Sequence, residues 1–125
     1  SITALSGEID LKNENIIFLK KVVSTIKLDN SEEIIITSDY GKYNSDNYDT
    51  IFSQNVIILY LDNKITGEYL DFSLDRNTMI ISRNVIYSNL ENILKADVIE
   101  VDIETKDTKI YMYENETKVN IKNIN

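Results

Sequence analysis

No cysteine occurs among the 125 residues, so neither a disulfide framework nor a thiolate metal site is open to the chain. Histidine is absent as well. The usual general base and the thiol nucleophile are therefore both missing, and only serine or carboxylate chemistry remains formally available to an enzyme. Proline and tryptophan are also lacking. Positive charge is scarce: 13 Lys and Arg stand against 21 Asp and Glu, a net charge of −8. Nucleic-acid binding needs clustered Lys and Arg to neutralise phosphates, so that balance argues against it. Long hydrophobic runs are missing too. The longest, Val56 to Leu61, falls far below the roughly 20 apolar residues that span a bilayer as a helix. No signal peptide is visible at the start. The chain opens at Ser1 without a methionine, as a processed form or an excised domain would, and an upstream membrane anchor is compatible with that start.

What remains is a composition that folds. Hydrophobic residues make up 42% and charged residues 27%, and the length suits a single domain over residues 1–125. The chain is rich in Ile, Asn, Lys and Tyr, the bias of an AT-rich genome, which makes individual Asn and Lys residues weak functional markers.

Internal repetition is the main signal. Ile2-Thr3-Ala4, Ile36-Thr37-Ser38, Ile65-Thr66-Gly67 and Leu94-Lys95-Ala96 begin at spacings of 34, 29 and 29 residues. A second landmark keeps the register: Lys21-Val22, Asn55-Val56 and Asn84-Val85 stand 34 and then 29 apart. The first unit is longer by a polar insertion around Asp29 to Glu33. Each unit reads as a strand, a turn rich in Asn and Asp, and a returning strand, which is a hairpin signal. The turns fall at Lys12–Asn15, Ser45–Asp49, Asp75–Thr78 and Thr105–Thr108. Only Asn89–Ala96 is ambiguous between strand and helix.

Alignment of the units assigns faces. In the first strands, positions 0, +2, +7 and +9 are apolar or small, as in Ile65, Gly67, Phe72 and Leu74, or Leu94, Ala96, Val101 and Ile103. The change of parity between +2 and +7 places a bulge or bend between them. In the second strands, a spacing of three from Leu19 to Val22 places another bend before each Val, at Val22, Val56 and Val85. Ile17, Leu19 and Val22 are expected to point inward, as are Ile51, Val56, Ile58 and Tyr60 of the second unit. Phe72, Ile80 and Val85 complete the set. Strands bent at fixed places suggest an all-β fold of about four antiparallel hairpin-like units, with two sheets joined through curved strands in a jelly-roll-like shape.

The pattern Ile-Thr-small, polar turn, Asn-Val and alternating apolar residues resembles the OstA/LptA/LptC superfamily of periplasmic lipopolysaccharide carriers. It stands out in Ile36-Thr37-Ser38-Asp39-Tyr40 leading to Ser53-Gln54-Asn55-Val56, and in Ile65-Thr66-Gly67 leading to Ser82-Arg83-Asn84-Val85. The resemblance runs from Ile2 to about Val119, and the long first unit and the Thr50-to-Val56 segment look most like LptC. Glu114-Asn115-Glu116 departs from it, lacking the Asn-Val landmark.

The resemblance implies a twisted antiparallel β-jelly roll whose interior opens between two sheets, in a non-enzymatic, cofactor-free periplasmic protein that holds lipid A acyl chains there. The ten inward positions above then become the lipid lining. It implies as partners lipopolysaccharide, an LptA-like bridge protein and inner-membrane LptF/LptG-type subunits. The membrane is reached only through an N-terminal helix that LptC proteins normally carry and this chain does not. The docking edge is expected at the last strand, Thr108 to Val119, with Ile110, Tyr111, Met112 and Tyr113 at its centre. Sheet edges recruit other chains by strand addition. Each methylene taken from water contributes roughly 0.8 kcal/mol, so several acyl chains would be held too tightly for release unless the exit leads into an equivalent groove.

Competing readings are an LptA-like soluble shuttle, a β-scaffold that docks partners without lipid, and a carbohydrate-binding sandwich, for which eight Tyr and no Trp are available as platforms. Asp46, Asn47 and Asp49 do not have calcium-loop spacing and read as a turn. Glu8, Asp71, Glu100 and Asp102 read as a solvated acidic face rather than a glycosidase pair. The Asn115-Glu116-Thr117 acceptor pattern reads as idle in a bacterial chain. Lys20, Lys21, Lys42, Lys64, Arg76 and Arg83 read as scattered solubility charges rather than as a basic rim.

Overall fold

The computed structural model describes residues 1–113, and these form one antiparallel sheet with the strands in sequence order. The strands are β1 (Ile2–Asp10), β2 (Asn13–Lys27), β3 (Glu33–Asn44), β4 (Thr50–Tyr60), β5 (Asn63–Ser73), β6 (Thr78–Ser88), β7 (Ile93–Asp102) and β8 (Thr108–Tyr111). Each pairs with its neighbour in sequence, and among the described residues β1 and β8 do not pair with each other. The sheet is therefore open. Asn89–Asn92 is a turn closed by the Asn89 carboxamide oxygen, which accepts from the Glu91 and Asn92 amides. The expected continuation of the last strand to Val119, with Glu114, Asn115, Glu116 and Thr117, lies outside the described residues.

The bends fall where the repeat places them. In β4 the consecutive residues Gln54 and Asn55 adopt positive φ, 64° and 52°, and together oppose the single Glu68 of β5. In β6 Arg83 and Asn84, at 68° and 55°, oppose Asp97 of β7. Two residues against one is a bulge, and it kinks the strand. In β2 Lys21 alone has positive φ, 55°. Asn suits this backbone because its short polar side chain tolerates the left-handed region. The Asn55 carboxamide also donates to Asp39 Oδ2 at 2.6 Å, and that of Asn84 donates to Glu68. Lys21 reaches Asp39 as well, at 3.4 Å. Asn55 first, and Lys21 with it, hold the Asp39 carboxyl below its ordinary pKa.

Small and branched residues sit side by side next to each bend. Val56 pairs with Gly67 and Val85 with Ala96, while Val22 lies between Ala4 and Ser38. A Cβ added to Gly67 would come within 2.8 Å of Ile81 Cγ1, so the close approach of β6 excludes any side chain there. This explains the small residue at that point of β5.

With no helix among the described residues, the sheet must cover its own inner face. It does so by folding across the bends. The strand halves next to the β1–β2, β3–β4, β5–β6 and β7–β8 turns make one layer, and the other halves make the second. The first layer carries the inward row Leu19, Gly41, Phe52, Leu70, Ile81 and Ile99 across neighbouring strands. The second carries Ser24, Ile36, Ile58, Ile65, Tyr87 and Leu94. Phe52, Ile36, Leu70 and Ile99 are no more than 1% exposed, which a one-layered sheet does not allow. The result is the expected twisted antiparallel β-jelly roll.

Candidate functional site

The space between the layers is the candidate site. A cavity of about 200 Å³ opens toward the β8 side. One wall is Ile34, Ile58 and Ile65 of the second layer, and the facing wall is Met79, Ile99 and Ile110 of the first. Polar groups gather at its rim. The Tyr60 hydroxyl donates to Glu32 Oε1 at 2.8 Å, and this bond together with burial raises the Tyr60 pKa. Tyr87 donates to Asn63 Oδ1 at 2.5 Å. Lys106 lines the same mouth, its ammonium donating to the carbonyls of Ile103 and Glu104. A second opening lies at the β1 side, where Ile2 and Ile26 of the second layer face Tyr43 and Phe72 of the first. The interlayer space is therefore apolar, with an opening toward each edge of the sheet. A lining of this kind suits a hydrocarbon ligand better than a polar one.

The inward positions read from the sequence fall into three groups. Val22, Val56, Ile58, Phe72 and Val85 are buried in one core cluster. Ile17, Leu19 and Tyr60 are half-buried; all three face inward, and Leu19 and Tyr60 pack against that cluster. Ile51 and Ile80 do not face inward. They lie in the outer row with Lys42 and Asp71, while Phe52 and Ile81, each 1% exposed, take the inner places. The reason is the bulge. β2 spends one left-handed residue at its bend, and β4 and β6 spend two. Leu19 to Val22 is a step of three, and Phe52 to Val56 and Ile81 to Val85 are steps of four. An alignment without a gap slips the part before the bend by one residue, which turns it over.

Of the ten positions, Ile58 and Tyr60 line the β8-side cavity and Phe72 the β1-side opening. Reasoning from the repeat missed Met79, Ile99 and Ile34. The alternation Ile34, Ile36 and Met79, Ile81 was the available signal. At the β8 edge, Ile110 and Met112 are half-buried against the core, and Tyr111 and Tyr113 are exposed. The Tyr113 amide donates to Asp97 Oδ2 at 2.6 Å. The Asn44-to-Asp49 segment is a set of side-chain-closed turns: Asn44 Oδ1 accepts from the Asp46 amide and Asn47 Oδ1 from the Asp49 amide. Asp71 and Glu100 lie on either side of Ile80 on the outer face, with Arg76 reaching Asp71 at 3.4 Å.

The chain shares its fold with LptH. That protein of Pseudomonas aeruginosa is described as the LptA-homologous periplasmic component of the lipopolysaccharide transport device. Its crystal structure superposes with a TM-score of 0.69 at 12% identity, over 96% of this chain and 86% of that of LptH. No protein-family model matches the sequence, and no curated protein does. The likeness to LptH is thus one of architecture: nearly the whole chain follows the same course with few residues in common.

Proposed function

We propose that this protein binds the acyl chains of lipopolysaccharide between its two layers and passes them on along the periplasm, without catalysis and without a cofactor. The observation that carries the reading is the apolar interlayer space with openings toward both edges of an unclosed sheet. LptH, a periplasmic transport component, has the same architecture over nearly its full length. Residues 1–125 act as one domain in this reading.

The cavity of about 200 Å³ is smaller than the ~300–1,000 Å³ of ordinary ligand pockets. Loading a lipid with several chains therefore parts the layers. The open sheet permits this, since among the described residues no strand pairing joins β1 to β8. Release follows by passing the chains to an equivalent space on a neighbour docked at an edge. The β8 edge, with Ile110 and Met112 turned inward and Tyr111 and Tyr113 outward, is the proposed exit toward an LptA-like bridge protein. An LptC-like position between LptF/LptG-type subunits and that bridge is one form of the proposal. The likeness to LptH favours a second form, an LptA-like element of the bridge itself.

Delipidated protein titrated with lipopolysaccharide and with acyl-free polysaccharide, followed by the amide shifts of Ile58, Ile65 and Ile99 between the layers, tests the reading. Saturable shifts at those residues with the first alone are expected; equal shifts there with both overturn it. A photo-crosslinking residue at Tyr111 tests the exit. Adducts with an LptA-like partner are expected, and adducts found only from β1 positions reverse the direction.

A further inference from the structure

The outer face carries a second concavity, of about 500 Å³, on β1 to β5. Its floor is the backbone of Gly7, Leu19 and Gly41, whose side-chain positions point to the other side of the sheet. Three aromatic rings, Phe18, Tyr40 and Tyr69, stand around that floor. Phe18 is 45% exposed and Tyr40 43%. Exposed aromatic residues scattered singly need no explanation, but a cluster around one depression of ligand-pocket size does.

The polar lining is selective in its charge. Lys20 and Lys42 belong to it, with Ser53 between the Tyr40 and Tyr69 positions and Ser6 opposite Lys20. The Arg83 guanidinium lies 5.3 Å from the centre of the Tyr69 ring, a cation–π contact that holds a third cation beside the groove. Glu8 is the one acid of the lining, and the nearby Asp39 is engaged by Asn55 and Lys21. Among the described residues neither Lys20 nor Lys42 forms an ion pair. In a chain of net charge −8 this is a local reversal of sign.

We infer that the outer groove binds a short anionic oligosaccharide. The apolar C–H face of a pyranose stacks on an aromatic ring, and its hydroxyls need donors and acceptors beside that ring. Tyr40, Tyr69 and the two serines supply both. The acidic groups of the sugar meet Lys20, Lys42 and Arg83, attractions that salt weakens because the site is open to solvent. The groove lies on the opposite face of the sheet from the interlayer space, so this site does not depend on lipid being bound inside.

Titration of the whole chain with digalacturonate, followed by amide chemical shifts, tests the assignment. Galactobiose is the neutral comparison and acetate the anion without a sugar. Saturable shifts confined to Gly7, Gly41 and their neighbours are expected with digalacturonate, at least tenfold weaker with galactobiose, and none with acetate. Lys20→Gln with Lys42→Gln should weaken digalacturonate at least tenfold, and Tyr40→Ala similarly; all three side chains are exposed, and the amide spectrum confirms that each variant is folded. Absence of saturable shifts at those amides overturns the proposal. So does equal binding by the double lysine variant, or equal response to acetate. None of these outcomes bears on lipid binding inside, because the probes carry no acyl chain.

Discussion

Phe52 and Ile51 are neighbours in sequence with opposite fates, and they measure how sharply the sheet distinguishes its faces. Phe52 is 1% exposed within the core, and Ile51 is half-buried on the outer face. Phe52→Ala should cost about 3–5 kcal/mol, the usual range for emptying an aromatic core site. Ile51→Ala should cost well under half of that. Urea unfolding of both variants checks the order, and an equal or reversed cost would mean that the first half of β4 is turned over. Gly67 makes a second residue-level test. Its missing Cβ leaves room for Ile81, and Gly67→Ala should destabilise by about 1–3 kcal/mol through overpacking. At Gly7 the nearest atom to an added Cβ is the flexible end of Leu19 at 3.3 Å, so Gly7→Ala should cost less.

Among the strands, the bulges decide the fold, and they are also where the sequence was hardest to read. Asn84 holds φ at 55°, which a β-branched residue resists. Asn84→Val should be less stable than Asn84→Gly by about 1–2 kcal/mol, a difference that isolates the backbone because both lose the bond to Glu68. The Asp39 clamp adds a pH dependence. Its folded pKa is depressed, so its contribution is complete above the ordinary carboxylate range and fades as pH falls through the lowered value. Asp39→Asn should therefore flatten the acid side of the stability–pH curve, measured as urea midpoints between pH 6 and pH 3. The Asn-Val landmark made these bends visible, because a residue tolerant of left-handed backbone recurs before a branched core residue. The landmark could not reveal that two residues turn in β4 and β6 and one in β2. That count depends on pairing with the next strand, and so the repeat alone points Ile51 and Ile80 inward. The halves beyond the bends, Val56 and Ile58 among them, needed no gap and were legible. The outer groove was not, since Phe18, Tyr40 and Tyr69 lie on three strands and meet only once the sheet is assembled.

At the scale of the molecule, one meandering sheet folds over itself and leaves an apolar space that reaches toward both edges. The central claim is that acyl chains enter that space. The chain contains no tryptophan, so a single introduced indole reports one place. Tyr60 lines the interlayer cavity, and Tyr40 stands on the outer face. A dibrominated fatty acid quenches indole fluorescence at contact range. The account expects saturable quenching in the Tyr60→Trp protein, reversed by added lipopolysaccharide, and no saturable quenching in the Tyr40→Trp protein. Quenching at position 40 with none at position 60 would contradict it.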